Sequence, residues 1–212
     1  MKHILFKPEI LHHKRIPDAI TIGFQKLSDS ENEPSDSHAI ENLSGSHFIR
    51  KLAETGLGIG SLQLVTRKNE KPKAFDGKDE LSVSFSHTRH SIAGAISRIY
   101  NVGCDLESAT RKVPESLVKR MKAKEESESL YVNEQALRIW TCKEAALKMT
   151  GTGLRKPMSG VRLFQQEEEL FIAEIDDVFQ AEICSFLHNG FWISVCFKKE
   201  MLEKMTEDSP PV

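Results

Sequence analysis

Apolar residues recur along this chain with two periods. In Asp18–Leu27, Ile20, Ile22 and Phe24 occupy alternate positions, the two-residue period of a strand with one buried face. Ser61–Thr66 and Leu81–Ser86 alternate in the same way and read as half-buried strands. Residues 68–80 between them read as a basic, turn-rich connection. Ser91–Ser97 is apolar and small, compatible with strand or helix, and Tyr100-Asn101 reads as a turn into a strand over 102–107. The helical period appears twice. Phe48, Ile49 and Leu52 form one stripe of a helix that starts near Ser46 and stops at Gly56. Leu137, Trp140, Ala145 and Leu147 supply the apolar contacts of the longest helix, Glu134 to Thr150, with Asn133 as its N-cap and Gly151 as its stop. Pro114 opens a stretch with room for two short helices. After Pro157 come four strand-like runs, VRLF, LFIAEI, VFQAEICSF and FWISVCF. The Ser-, Asp- and Glu-rich residues 28–46 read as a mobile loop, and the charged tail from Lys198 as a frayed end. No internal repeat is legible.

Composition narrows this picture little. A chain of 212 residues, 39% hydrophobic and 28% charged, is long enough for one large domain or two small lobes. A formal net charge of −2 gives no overall basic field for nucleic acid. Cys104, Cys142, Cys184 and Cys196 form no CxxC pair and no zinc spacing, which points to a reducing compartment. No apolar run is long enough for a signal peptide core or a membrane span. The expectation is a cytoplasmic protein.

Three clusters carry candidate chemistry. In GCDLE (Gly103–Glu107), strand alternation puts Asp105 and Glu107 on one face. That pair either binds a hard divalent cation, which takes oxygen ligands, or is a solvated strand end. On the long helix Glu144 and Lys148 are four apart, one turn beyond Trp140. They form either a surface ion pair or part of a half-buried polar face. Ser86, His87, Arg89 and His90 crowd the end of a strand, where they could donate to phosphate or form an ordinary polar loop; Lys68, Lys71 and Lys73 around Pro72 leave the same choice open.

Taken together and in order, EKP (Glu70–Pro72), VSFSH (Val83–His87), GCDLE and WTCKEAALKMTGTGL (Trp140–Leu154) resemble the 4′-phosphopantetheinyl transferase superfamily. The likeness is to the long, two-lobed type that activates peptide and polyketide synthetases, such as the surfactin-synthetase-activating enzymes. It implies an α+β fold of two pseudo-symmetric lobes, each a small antiparallel sheet packed with helices, with the active site in the cleft between them. The expected division is residues 1–100, 101–200 and a flexible tail at 201–212. The implied reaction moves 4′-phosphopantetheine from coenzyme A to a serine of an acyl or peptidyl carrier protein and releases 3′,5′-ADP. By resemblance Asp105, Glu107 and Glu144 hold Mg²⁺, or Mn²⁺ in its place. Lys148 contacts the phosphates, Ser86 and His87 bind a coenzyme A phosphate, and Lys71 reaches the nucleotide end. Glu144 is the candidate base, directly or by way of a bound water. A monomer is expected, since two lobes complete the site. Two features depart from the family pattern: Glu70 stands where glycine is common, and the region before the first helix is acidic. A binding-only descendant of the same fold and a generic Mg²⁺-dependent phosphotransferase are the competing readings. Lys119, Arg120, Lys122 and Lys124 form either a docking patch for an acidic carrier helix or a solvated face.

Overall fold

Two antiparallel sheets, each covered by a helix, build an α+β fold. The computed structural model describes residues 7–27, 37–67, 70–132, 135–176 and 179–199. The first sheet comprises β1 (Glu9–Leu11), β2 (Ile20–Lys26), β3 (Gln63–Val65), β4 (Lys73–Asp76), β5 (Asp79–Thr88) and β6 (Ser91–Ser97), in the order β1-β2-β6-β5-β4-β3. Helix α1 (Ser37–Leu57) connects β2 to β3. The second sheet comprises β7 (Tyr100–Ser108), β8 (Val161–Gln165), β9 (Leu170–Ile175), β10 (Phe179–His188) and β11 (Phe191–Lys199), in the order β7-β11-β10-β9-β8. Between β7 and β8 the chain forms α2 (Glu115–Met121) and α3 (Gln135–Met149).

The order of elements is a repeat that the residues do not advertise. Strand, helix and four-stranded meander occur as β2–α1–β3–β4–β5–β6 and again as β7–α3–β8–β9–β10–β11. In each half the first strand pairs with the last. Four layers result. Phe48, Ile49, Leu52 and Ala53 of α1 pack on Leu81, Val83, Ile92 and Ile96. Ile139, Cys142, Ala145, Ala146 and Met149 of α3 pack on Phe171, Ala173, Ile183 and Cys196. The other faces of the sheets meet each other: Ile20, Ile22, Phe24, Ala93 and Ala95 against Val102, Cys104, Leu106, Ile193 and Val195. The alternation read in β2 therefore marks the face toward the second sheet.

Several sequence expectations shift. Residues 37–46 are helical, so α1 starts nine residues before Ser46; residues 28–36 and 200–212 lie outside the described residues. Once Phe48–Ala53 is anchored on the sheet, each added residue gains a hydrogen bond without a new nucleation step, so a polar first half can continue the helix. Residues 68–80 contain a strand, β4, joined to β5 by the two-residue turn Gly77-Lys78, in which Gly77 takes φ +63° and Asp76 faces Asp79; glycine at the first turn position favours this connection. The bend before β7 falls at Arg98-Ile99 rather than Tyr100-Asn101, because Ser97 Oγ accepts the N–H of Ile99 (3.3 Å) and of Tyr100 (3.1 Å). Asn133, the expected N-cap, lies outside the described residues.

Gly23 and Gly103 hold the same place in the repeat, the fourth residue of the first strand, beneath the helix. A Cβ on Gly103 would stand 2.0 Å from the Ala145 carbonyl oxygen and 2.5 Å from the Met149 nitrogen, both backbone. A Cβ on Gly23 would meet first the tip of the Leu52 side chain at 2.6 Å. Backbone cannot yield as a side chain can, so α3 lies on β7 only where β7 has no side chain. Gly103→Ala is expected to lower stability by about 3 kcal/mol and Gly23→Ala by about 1 kcal/mol, within the usual range for overpacking. Urea unfolding midpoints check this, and equal effects would contradict the argument.

Candidate active site

β5 alternates Leu81, Val83 and Phe85 with Ser82, Ser84 and Ser86. The apolar set belongs to the core under α1, and the serines face β7. β7 is an edge strand of its own sheet, with backbone donors in need of partners. The serines supply them. The N–H of Val102 donates to Ser82 Oγ (3.0 Å) and that of Cys104 to Ser84 Oγ (2.9 Å). Ser86 continues the row but meets a side chain, donating its hydroxyl to Asp105 Oδ1 (2.8 Å). Lys71 closes the other end of the row, with its ammonium on Ser82 Oγ (2.9 Å) and the Met149 carbonyl (3.1 Å) near the C-terminus of α3.

Gly103, Asp105 and Glu107 share the face of β7 that looks to α3. Asp105 is buried, 4% exposed, and Lys148 Nζ donates to its Oδ1 at 2.7 Å. Its second oxygen, Oδ2, is buried with no hydrogen-bond partner. Glu144, one turn before Lys148 and also buried, is pushed up to about 7, first by burial and then by the charge of Asp105; Lys148 and Arg111 pull it partly back. Burial also works against the Lys148 ammonium, but the charge and hydrogen bond of Asp105 outweigh it and hold its pKa above the ordinary lysine value. Glu107 is ion-paired with Arg111, whose guanidinium lies 5.5 Å from the centre of the Trp140 ring.

The structure thus brings Asp105, Glu144, Lys148 and Ser86 together. Glu107 is on the same face of its strand but is turned to Arg111. Lys71 is at the lobe junction. His87 is half-buried on β5, and alternation places it on the face opposite Ser86. Glu70 is exposed and 3.9 Å from Arg67. Among the described residues no three His, Cys, Asp or Glu side chains form a ready-made metal cluster. Even so, the donor set suits a divalent ion: a buried carboxylate oxygen without a partner, beside a second buried carboxyl whose ionisation is opposed, is a site short of positive charge.

Two features escaped the sequence. Lys143, next to Glu144, is 0% exposed and directs its ammonium to the Met121 carbonyl, the Val161 carbonyl and Glu126, each at 2.7 Å. All three of its protons are satisfied, so it ties the α2 segment and β8 to α3. The lysine in WTCKEAALK was visible; its acceptors come from distant segments and were not. The basic run on α2 and after it is also less basic than it reads. Lys119 pairs with Glu115, Lys122 with Glu128 and Lys124 with Glu125, which favours a solvated face over a net positive patch.

Glu144 gives a pH prediction. Its folded pKa of about 7 exceeds the ordinary 4.5, so between those values the folded state binds more protons than the unfolded state. The contribution of Glu144 to stability without divalent ions therefore falls as pH rises across that window. Glu144→Gln is expected to be more stable than the unsubstituted protein at pH 8 by on the order of 3 kcal/mol, with the gap closing near pH 4. Denaturation in EDTA across pH measures it. A difference independent of pH would show that Glu144 is not held protonated by its surroundings.

The model of the 4′-phosphopantetheinyl transferase superfamily matches residues 101–196. No curated protein matches the chain at a significant level of similarity. The matched segment contains β7 with Asp105 and Glu107, α3 with Glu144 and Lys148, and the meander that follows; Lys71, Ser86 and His87 precede it. The activity of that superfamily is transfer of phosphopantetheine from coenzyme A to a carrier protein. The strand and the helix that meet at Asp105 both fall within the match, so the likeness to the 4′-phosphopantetheinyl transferase superfamily covers the part of the chain that holds Asp105, Glu107, Glu144 and Lys148.

Proposed function

We propose that this protein is a Mg²⁺-dependent transferase that moves 4′-phosphopantetheine from coenzyme A to the serine hydroxyl of an acyl or peptidyl carrier protein, leaving 3′,5′-ADP. Asp105 carries the reading. It is buried, joined to one lobe by Ser86 and to α3 by Lys148, and keeps one oxygen unpartnered beside Glu144.

Asp105, Glu107 and Glu144 would hold the ion, which when bound supplies charge neutralisation to the pyrophosphate. The protein's own groups position the rest. Lys148, kept charged by Asp105, faces the developing charge of the leaving phosphate. Ser86 and His87 at the end of β5, with Lys71 at the junction, are the first-lobe groups proposed for coenzyme A. The nucleophile comes from the carrier, so the site needs a proton acceptor and no nucleophile of its own. Glu144, with a pKa near neutrality, is matched to that task.

The four cysteines are buried and free, in keeping with a reducing, cytoplasmic setting. Among the described residues no helix is long and apolar enough to cross a membrane.

Incubation with apo-carrier, coenzyme A and Mg²⁺, followed by mass spectrometry, tests the proposal. The expected result is a phosphopantetheine adduct on the carrier, lost in EDTA and reduced at least about a hundredfold by Glu144→Gln or Lys148→Ala, as for removal of a group acting at the transition state. Coenzyme A binding without an adduct on fatty-acid, peptide or polyketide carriers would instead support the binding-only descendant.

A further inference from the structure

Arg111 stands where the proposed metal chemistry has no use for a cation. The turn that carries it is fixed: the Ala109 N–H donates to the Gly190 carbonyl (2.9 Å) and the Arg111 N–H to the Ser108 carbonyl (2.9 Å). From that turn the guanidinium pairs with Glu107 and rests on Trp140. It also acts electrostatically on Glu144. One side chain therefore touches or influences two of the three carboxylates proposed to hold the ion.

We propose that Arg111 is a built-in competitor of the divalent ion: it holds Glu107 while the metal is absent and must release that carboxylate for the metal to use it. This inference rests on the reading of Asp105, Glu107 and Glu144 as the metal ligands. A guanidinium cannot shed its proton near neutral pH, so the competition is not relieved by titration. A Glu107 oxygen committed to Arg111 is not free for a hard cation, and both positive charges on one carboxylate repel each other.

The two internal cations differ in how readily they give way. Lys148, 28% exposed, is held in a partly buried pair with Asp105, whose side chain is 6% exposed. Arg111 is 44% exposed at the end of a turn and Glu107 17%, so the Arg111–Glu107 pair is the more easily opened. Three carboxyl groups face two cations, Lys148 and Arg111. The ion alone thus enters a site whose deficit of positive charge is already partly filled, and gains full advantage only when an anionic ligand arrives with it. In a Trp192→Phe background, which removes the second tryptophan, beside Glu107 on β11, Trp140 reports the event, because displacement of the guanidinium changes the surroundings of its ring.

The opposite role is equally concrete: Arg111 could hold Glu107 in position for the metal, and its loss would then weaken binding. Titration of the full chain with Mn²⁺ alone, followed by electron paramagnetic resonance and tryptophan emission, separates the two. Arg111→Gln is expected to bind Mn²⁺ about tenfold more tightly, the scale of removing one nearby like charge and one partly exposed ion pair. Arg111→Lys should fall between it and the unsubstituted protein. In the Trp192→Phe background Mn²⁺ should change tryptophan emission with Arg111 intact and much less with Arg111→Gln. Equal or weaker Mn²⁺ binding by Arg111→Gln, with the unsubstituted protein still binding, overturns the competitor role alone. No Mn²⁺ binding by either protein overturns the metal reading and this inference with it.

Discussion

The contact on which the rest of this molecule depends is the row of serines on β5 against the free edge of β7. An edge strand presents donors that are costly to bury unpaired, and here side-chain hydroxyls take the place of another strand. The two sheets therefore meet face to face and edge to hydroxyl without merging into one. The same row extends to Ser86, so the device that joins the lobes also grips Asp105. Lobe assembly and the placement of the central carboxylate are one interaction.

Against that fixed strand, α3 does two jobs with adjacent residues. Successive residues on a helix point about 100° apart, so Lys143 and Glu144 cannot face the same neighbour. Lys143 turns into the protein and binds segments on both sides of α3 in sequence. Glu144 and Lys148 turn to β7. Removing one partner of a buried, hydrogen-bonded ion pair leaves a charge in a poor solvent, which makes the Lys143–Glu126 pair an anchor for the helix that carries the site. Gly103 then lets the helix come close enough for Lys148 to reach Asp105. Two lysines of one motif, five residues apart, thus serve unlike ends, one docking the helix and the other balancing charge in the site.

Much of the fold was legible because period and punctuation agree with the final structure. The alternation in β2, β5 and the four late strands, and the stop at Gly151, which takes φ +74°, appear as read. The failures are also local in cause. β4 reads as loop because four residues are too few to show a period, although Gly77 marks its turn. The polar start of α1 looked like loop because its composition lacks an apolar stripe, while its helicity follows from the anchored turns after it. The repeat could not be read at all, since the two halves share an order of elements and a glycine but little residue pattern.

Which side chains share a strand face or a helix turn was legible from residue order: Asp105 with Glu107, Glu144 with Lys148, and the three serines of β5. Those relations follow from backbone periods of two and 3.6 residues, which no distant contact alters. What each face meets came from the packing of distant segments. The serines that looked half-solvated close the edge of β7, Glu107 turns to Arg111, and His87 parts from Ser86. Burial, charge balance and the pKa of Glu144 depend on groups brought together from far along the chain, and a local period carries no record of them.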